Sequence, residues 1–485
     1  MSTRHSTPTV APILVAHPHD EGRGWHAGRL ELLALAHVAV LLVFTAWDFG
    51  GETDFARVAI SWWGMLAVPI AGLVCLRRLE RRDGMPAALR WLWPLLAFDG
   101  LVLLSTLNPS FSYAMIGSVR ALVHTGAKAP GPSTALPAVS LQDLWQFNAI
   151  YLTCFNLTIA VVRRRVLRAL LLIFTANALA LAVMGTFQKL ADATGLYFGL
   201  QPSPNTQFFA TFIYHNHWGA YVTLGTAVAL GLLFHHARHG GESGERHSPL
   251  LFGLVATLFL AAAVPLSTSR SGALLVSALL LGALVHWLRH ASRVRRAAGR
   301  ATGPPLVLAG VVVALSLAGI YLLGRPLINQ RVATTRRQLE TIRLRGDLGN
   351  RTQLYADTWR MACTKPWFGW GLGSYAVVFP TFNQQVSVEG WVPFYREAHS
   401  DWLQTLAEVG VVGTILIVLT AALPLAAAFR LGRPGVLPAY LLAGCGLLVL
   451  YALVEFPFAN PAVVEGFWCC LFAAVRYHKL TVANA

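Results

Sequence analysis

Residues 396–413 read REAHSDWLQTLAEVGVVG, and the reading of this stretch decides how the chain is organised. A charged segment holding Arg396, Glu397, His399 and Asp401 runs directly into apolar sequence, which continues without interruption from Leu416 to Phe429. His399 therefore stands where a water-soluble group and a lipid-borne group can meet. A histidine's ordinary pKa of about 6.5 suits proton transfer near neutral pH. The competing reading is an interfacial helix start, with Ser400 as N-cap and Asp401 favourably placed in the first turn. The stretch alone leaves both open.

Composition sets the class. Of 485 residues, 55% are hydrophobic and 12% charged, and the mean hydropathy is +0.54. Soluble domains carry about a quarter charged residues, so this chain is a polytopic membrane protein. Fifteen Trp and twelve Tyr fit the aromatic belts at membrane interfaces. The net charge of +16 invites a nucleic-acid reading, but most Lys and Arg fall in short clusters between apolar runs, as orientation signals do. No nucleic-acid motif accompanies them, and no nucleic-acid partner is expected. The first residues have neither a signal-peptide core before His17 nor a small-residue cleavage site before Trp25, so the first membrane helix is expected to be retained. Five of six cysteines lie in apolar runs and only Cys363 in a polar one. Neither a disulfide framework nor a zinc spacing follows.

Apolar runs long enough to cross a bilayer occur near 31–47, 57–76, 91–107, 144–162, 167–187, 216–234, 249–266, 271–288, 305–323, 408–429, 436–454 and 461–476. The expected architecture is thus all-α, with about twelve transmembrane helices and one long, partly helical periplasmic loop, 324–407, between the ninth and tenth. The clusters RRLERRDG, RRRVLR, HHARHGGESGERH, RHASRVRRAAGR and RLGR all emerge on one side, which the positive-inside rule makes cytoplasmic. Both termini then lie in the cytoplasm. The acidic turn DFGGETDF, a Pro/Gly/Ser loop at 108–143, a loop at 188–215, the STSRSG turn and the long loop lie on the opposite face.

Inside the long loop, 327–345 spaces its apolar residues as an amphipathic helix on the membrane face, with Arg336, Arg337 and Arg343 snorkelling or pairing with Glu340 and lipid phosphates. From 324 to 407 there are ten Lys/Arg against six Asp/Glu, a net of +4. Asn350 is expected to cap a helix over 351–363 that Pro366 ends. Arg351 in its first turn opposes the helix dipole. It makes sense there if an anion occupies the helix N-terminus, although an indifferent surface arginine is the alternative. The glycines of FGWGLGSY read as turn glycines, because no strand precedes them.

Two further clusters carry chemistry. Arg270 sits in LSTSRSG between two apolar spans, a costly depth for an ionisable residue. With Ser267, Thr268, Ser269 and Ser271 and the N–H groups of the next helix, it forms an anion site for phosphate-like oxygens. A short polar turn is the plainer reading. The second cluster is Tyr214-His215-Asn216-His217-Trp218. His215 and His217 point about 200° apart on a helix, so the expectation is no metal but a rim that hydrogen-bonds sugar hydroxyls or phosphates.

Three stretches, in order and spacing, resemble the superfamily of O-antigen ligases and bactoprenol-linked glycan polymerases. They are TFIYHNHWGAY (211–221), STSRSG (267–272), and the block from NRTQLYADTW through KPWFGWGLGSY to AHSDWLQTLAEVGVVG. The resemblance covers roughly 205–430, and the first five spans match only in being hydrophobic. It divides the chain into a tail 1–28, helices within 29–204, a catalytic region 205–430 including loop 324–407, and final helices with a short tail in 431–485. The resemblance implies glycosyl transfer from undecaprenyl diphosphate to lipid A-core or another glycan, on the periplasmic face of the bacterial inner membrane. By position it makes His399 the catalytic base or acceptor-orienting group, and Arg270 and Arg351 the diphosphate ligands. Arginines can neutralise a diphosphate leaving group bidentately without metal, nucleotide or other cofactor, and attack on the donor carbon then inverts it. Arg396, Asn216, His215, His217 and Ser269 are candidate substrate contacts. The histidines flanking Asn216 depart from the family pattern. A polymerase of the same superfamily is the nearest alternative. A flippase or permease is the alternative of another class, disfavoured because the spans are nearly free of charge and the polar residues gather on one face.

Overall fold

The computed structural model describes residues 28–239, 248–299, 350–385 and 392–483, with 303, 307 and 310 as isolated positions. All but the last residue of the expected tail 1–28, most of the span at 305–323 and the amphipathic helix at 327–345 lie outside the described residues. Helices α1 (Arg29–Trp47), α2 (Asp54–Met65), α3 (Ala67–Glu80) and α4 (Trp93–Thr106) lead to a hairpin of β1 (Phe111–Ile116) and β2 (Val119–His124). Then come α5 (Pro137–Ala160), α6 (Arg164–Leu190), α7 (His215–His239), α8 (Ser248–Leu266), α9 (Arg270–Ala297) and α10 (Asn350–Thr364). A short α11 (Tyr375–Val378) precedes α12 (Asp401–Phe429), α13 (Val436–Tyr451) and α14 (Pro461–Val482).

Eight helical stretches among the described residues are long and apolar enough to cross a membrane, counting α2 and α3 as one. Helix α13, with 16 residues, is shorter. The expected spans at 144–162 and 461–476 fall on α5 and α14, several of whose polar residues are matched inside the bundle. Asn148 of α5 donates to Asp99 Oδ1 at 2.8 Å and Asn156 to the Ala67 carbonyl at 2.9 Å. Glu465 of α14 accepts from Thr45 Oγ1 at 3.0 Å. Such pairing is what makes polar groups tolerable where water is absent.

Helix α7 is the hub. In its apolar window 89% of residues are buried, against 22–56% in the other spans. Small residues let its neighbours approach. A Cβ on Gly219 would sit 2.6 Å from Ser269 Oγ and 3.1 Å from the Gly272 backbone, and one on Gly231 would sit 2.9 Å from Leu437. The start of α7 is thereby pressed against the start of α9, and its far end against α13.

The expected loop at 108–143 contains the β-hairpin, a structure its Pro/Gly/Ser composition conceals. Antiparallel pairing runs from Phe111 with His124 to Ile116 with Val119. The glycines of FGWGLGSY are turn glycines, with positive φ at Gly369, Gly371 and Gly373. They let the turn lie against α12 where that helix breaks at Gly410, φ 64 and ψ −172. Trp370 and Gly371 N–H donate to the Ala407 and Glu408 carbonyls at 3.0 and 2.7 Å, and Val411 and Val412 N–H to the Pro366 and Trp367 carbonyls at 2.8 and 3.1 Å. The Glu408 carboxylate accepts from Gly373 and Tyr375 N–H at 3.0 and 3.1 Å. Helix α12 therefore begins at Asp401, seven residues before the expected span, and its first turns are anchored to the turn rather than running straight into the bundle.

Candidate functional site

The loop between α13 and α14, Ala452–Asn460, carries the centre of the site. Its Glu455 is buried. Arg351, in the first turn of α10, donates to Glu455 Oε1 at 2.6 Å, and Asn216 Nδ2 donates to the same oxygen at 3.2 Å. His399 Nδ1 stands 3.7 Å from the other oxygen, Oε2, within reach of charge but beyond a hydrogen bond. One carboxylate thus joins α7, α10 and the segment leading into α12. The Arg351 side chain, expected to face an anion at the start of α10, is paired with a protein carboxylate.

The segment leading into α12 is held just as firmly. Ser400 caps α12, accepting from Leu403 N–H at 3.3 Å. Asp401 N–H donates to the Glu455 carbonyl at 3.1 Å, and the Asp401 carboxylate accepts from Phe458 N–H at 2.9 Å. Tyr355 of α10 donates to the His399 carbonyl at 2.9 Å. His399 has φ 54, a left-handed conformation that costs a non-glycine residue about 1–3 kcal/mol and persists where surroundings impose it. Its ring meets Phe456 edge-on at 4.7 Å.

Phe456 also packs on the other cluster. Tyr214 stacks on it at 5.3 Å and His217 meets it edge-on at 5.2 Å. His217 Nδ1 is 2.7 Å from Glu52 Oε1, which also accepts from Asn460 Nδ2 at 2.8 Å. The two histidines of the H-x-H pair diverge as the helical spacing requires. His215 Nδ1 lies 3.1 Å from the Gln207 carbonyl instead. Asn216 receives the Ser269 hydroxyl on its Oδ1 at 2.8 Å and gives Nδ2 to Tyr214 Oη at 2.7 Å. Ser269 meanwhile caps α9, accepting from Gly272 N–H at 3.1 Å.

Of the expected site residues, the structure joins His399, Arg351, Asn216 and Ser269 in one network and sets His217 against the same Phe456 ring. Arg270 is the first residue of α9 and is exposed, next to Ser269. Arg396 is exposed, its Nε 4.0 Å from Glu397 Oε1. His215 meets the Tyr214 ring edge-on at 5.0 Å.

Charge follows the geometry. Burial pushes the Glu455 carboxyl up, but the His399 imidazole and Arg351 guanidinium more than offset it, so the group is held below the usual carboxylate range. Glu52 behaves alike, with burial overcome by His217 and Asn460. Burial lifts Glu397 above its usual range despite Gln404, which donates to it at 2.8 Å. Burial and the Glu455 charge push the Tyr214 phenol up to about 12.

An ionised Glu455 facing Nδ1 favours the His399 tautomer with hydrogen on Nδ1 and a basic lone pair on Nε2, the arrangement of an oriented general base. Glu455, Glu52 and Phe456 were not among the residues singled out by sequence. A lone Glu in LVEFPFAN between two apolar spans is the signal that marks Glu455.

Fold and site together define a multi-pass helical membrane protein with a carboxylate-centred arginine and histidine site at one end of its bundle. Residues 255–418 match the family model described as O-antigen ligase. The match contains Arg270, Arg351 and His399, and it supports the chain's place in the O-antigen ligase-related superfamily. Comparison with curated proteins gives no match.

Proposed function

We propose that this chain transfers a glycan from undecaprenyl diphosphate to an acceptor hydroxyl on the periplasmic face of the inner membrane, most simply O-antigen onto lipid A-core. The observation that carries the reading is the single buried carboxylate, Glu455, that holds Arg351 and faces His399. A proton acceptor beside a cation suited to a departing diphosphate is what the proposed reaction needs. His399 takes the proton from the acceptor hydroxyl as that oxygen attacks the donor sugar's anomeric carbon. The bond from that carbon to the diphosphate breaks, and the leaving group departs with the bonding pair, so the carbon inverts. Arg351 and Arg270 stabilise the diphosphate charge by charge-assisted hydrogen bonds, without metal or nucleotide.

Polymerisation of lipid-linked repeat units uses the same donor chemistry and differs only in the acceptor. Transfer in proteoliposomes with undecaprenyl-diphosphate-linked glycan tests both, comparing wild type with His399→Ala. Glycan on lipid A-core supports ligation, and longer undecaprenyl-linked chains support polymerisation. Full activity in the folded variant removes His399 from the mechanism. No product with either acceptor returns the lipid-linked glycan flippase to the front.

A further inference from the structure

At the end of the bundle that carries the short basic loops, a cavity of about 210 Å³ opens between α3, the 86–91 segment, α5 and α14. At roughly 30 Å³ per water it holds about seven waters. Three cations line it: Arg78, Arg476 and Lys479. Two of these are tied to the wall. Arg476 Nε donates to the Val161 carbonyl at 2.6 Å, and the Lys479 ammonium lies 3.9 Å over the ring of buried Trp91. Among the described residues no carboxylate lines the cavity. The nearby Glu31 lies outside the lining and accepts from Val162 and Arg163 N–H at 2.7 and 2.9 Å, while its charge also acts on Arg476. With one carboxylate acting on them from outside the lining, the three cations remain in excess and repel one another unless a further anion joins them.

We propose that this cavity binds a phosphate oxyanion, and specifically the headgroup phosphate of an anionic phospholipid in the adjoining leaflet. The cations are fixed at the end of membrane helices, where a lipid phosphate lies. Basic pockets between such helices take phospholipid headgroups, and the Trp91 ring holds one of the cations in place. The site lies at the far end of α14 from the Glu455 loop and does not depend on the reaction proposed for it.

The test is native mass spectrometry of the full chain given phosphatidylglycerol and phosphatidylethanolamine in equal amounts, for wild type, Lys479→Gln, Lys479→Arg and the double variant Arg78→Gln/Lys479→Gln. Wild type and Lys479→Arg are expected to retain phosphatidylglycerol selectively. Each neutralised cation should lower that retention about fivefold, and the double variant about 25-fold. A second arm adds millimolar inorganic phosphate. No displacement of the lipid supports the headgroup as ligand. Phosphate that binds wild type but not the double variant, with no lipid selectivity, overturns the lipid and leaves a soluble phosphate in its place. Equal lipid selectivity and phosphate binding in wild type and variants overturns the site altogether. Should the double variant fail to fold, Lys479→Gln against Lys479→Arg decides, because that ammonium lies over the Trp91 face at the cavity rim.

Discussion

Replacing Glu455 by Gln tests the core of the site, because the amide keeps the shape of the carboxyl and removes its charge. In the proposed transition state His399 becomes an imidazolium whose Nδ1 faces Glu455 Oε2 at 3.7 Å. At that separation a unit pair is worth about 1 kcal/mol in water and about 4.5 kcal/mol at an effective dielectric of about 20. The His399 side chain is 26% exposed and that of Glu455 4%, which places the pair between those limits, at about 2–3 kcal/mol. The corresponding loss in kcat is roughly 30- to 150-fold. The stability effect is smaller, since Arg351 is 50% exposed and its pair with Glu455 is worth at most about 1 kcal/mol after screening.

The assay is the initial rate of glycan transfer in proteoliposomes, with size-exclusion chromatography confirming the fold. Because Glu455 acts through the imidazole, adding Glu455→Gln to His399→Ala should cost no further activity. A Glu455→Gln rate within threefold of wild type, while His399→Ala is inactive, refutes the orienting role. So does an additive loss in the double variant. The pH dependence carries a sign of its own. A carboxyl held below its unfolded value near 4.3 contributes stability that is present above that pH and fades as pH falls through the lowered native value. Wild type and Glu455→Gln should therefore converge in stability only in strong acid.

Four further outcomes are expected. Arg351→Lys keeps a cation but loses the planar fork that can hold Glu455 and a phosphate together, so KM for the lipid-linked donor should rise about tenfold with a smaller change in kcat, read from rates against donor concentration. Glu52→Gln removes the partner of His217 Nδ1 and a ligand of Asn460; a loss of about 1–3 kcal/mol should appear as a lower melting temperature, and His217→Gln on top of it should add little. Glu397 has a native pKa raised by burial, so its contribution is unfavourable once pH rises above its unfolded value, and Glu397→Gln should raise thermal stability at pH 7 but leave it unchanged near pH 3. At Gly410→Ala the new Cβ would lie 2.4 Å from the Trp367 backbone at φ +64, and the folded yield should collapse, since that backbone region is essentially glycine's own.

Much of this was legible in the sequence. Apolar runs are local properties, so the membrane-length helices follow from hydropathy. The start of α10, the cap at Ser400 and the turn glycines are also local. The hairpin at 111–124 escaped because a short antiparallel pair in a Gly/Pro-rich loop has no periodicity long enough to read. The break of α12 at Gly410 escaped because it arises from distant backbone, the turn at 366–371, which takes over the hydrogen bonds of residues 407–412. Glu52 and Glu455 escaped for the same reason. Glu455 is a single acid in an interhelical turn and Glu52 one of three in an acidic one, and only folding brings Glu52 within 2.7 Å of His217, 165 residues away.

The placement of Glu455 explains why two candidate residues that look independent in sequence form one device. An arginine in the first turn of α10 is disfavoured by that helix's dipole, and a histidine at left-handed φ is strained. Each is a local defect. A buried carboxylate is a third, costly without partners. Set together, the guanidinium bonds one oxygen of the carboxylate and the imidazole faces the other at 3.7 Å, the carboxylate offsets the dipole at Arg351, and the Tyr355 and Asp401 hydrogen bonds hold the His399 backbone in place. Local rules broken at three points that meet in space are what the proposed site would show. On that argument the arrangement should be least tolerant at Glu455, the one member that touches both others, and the transfer rate of Glu455→Ala should fall further than its fold stability predicts.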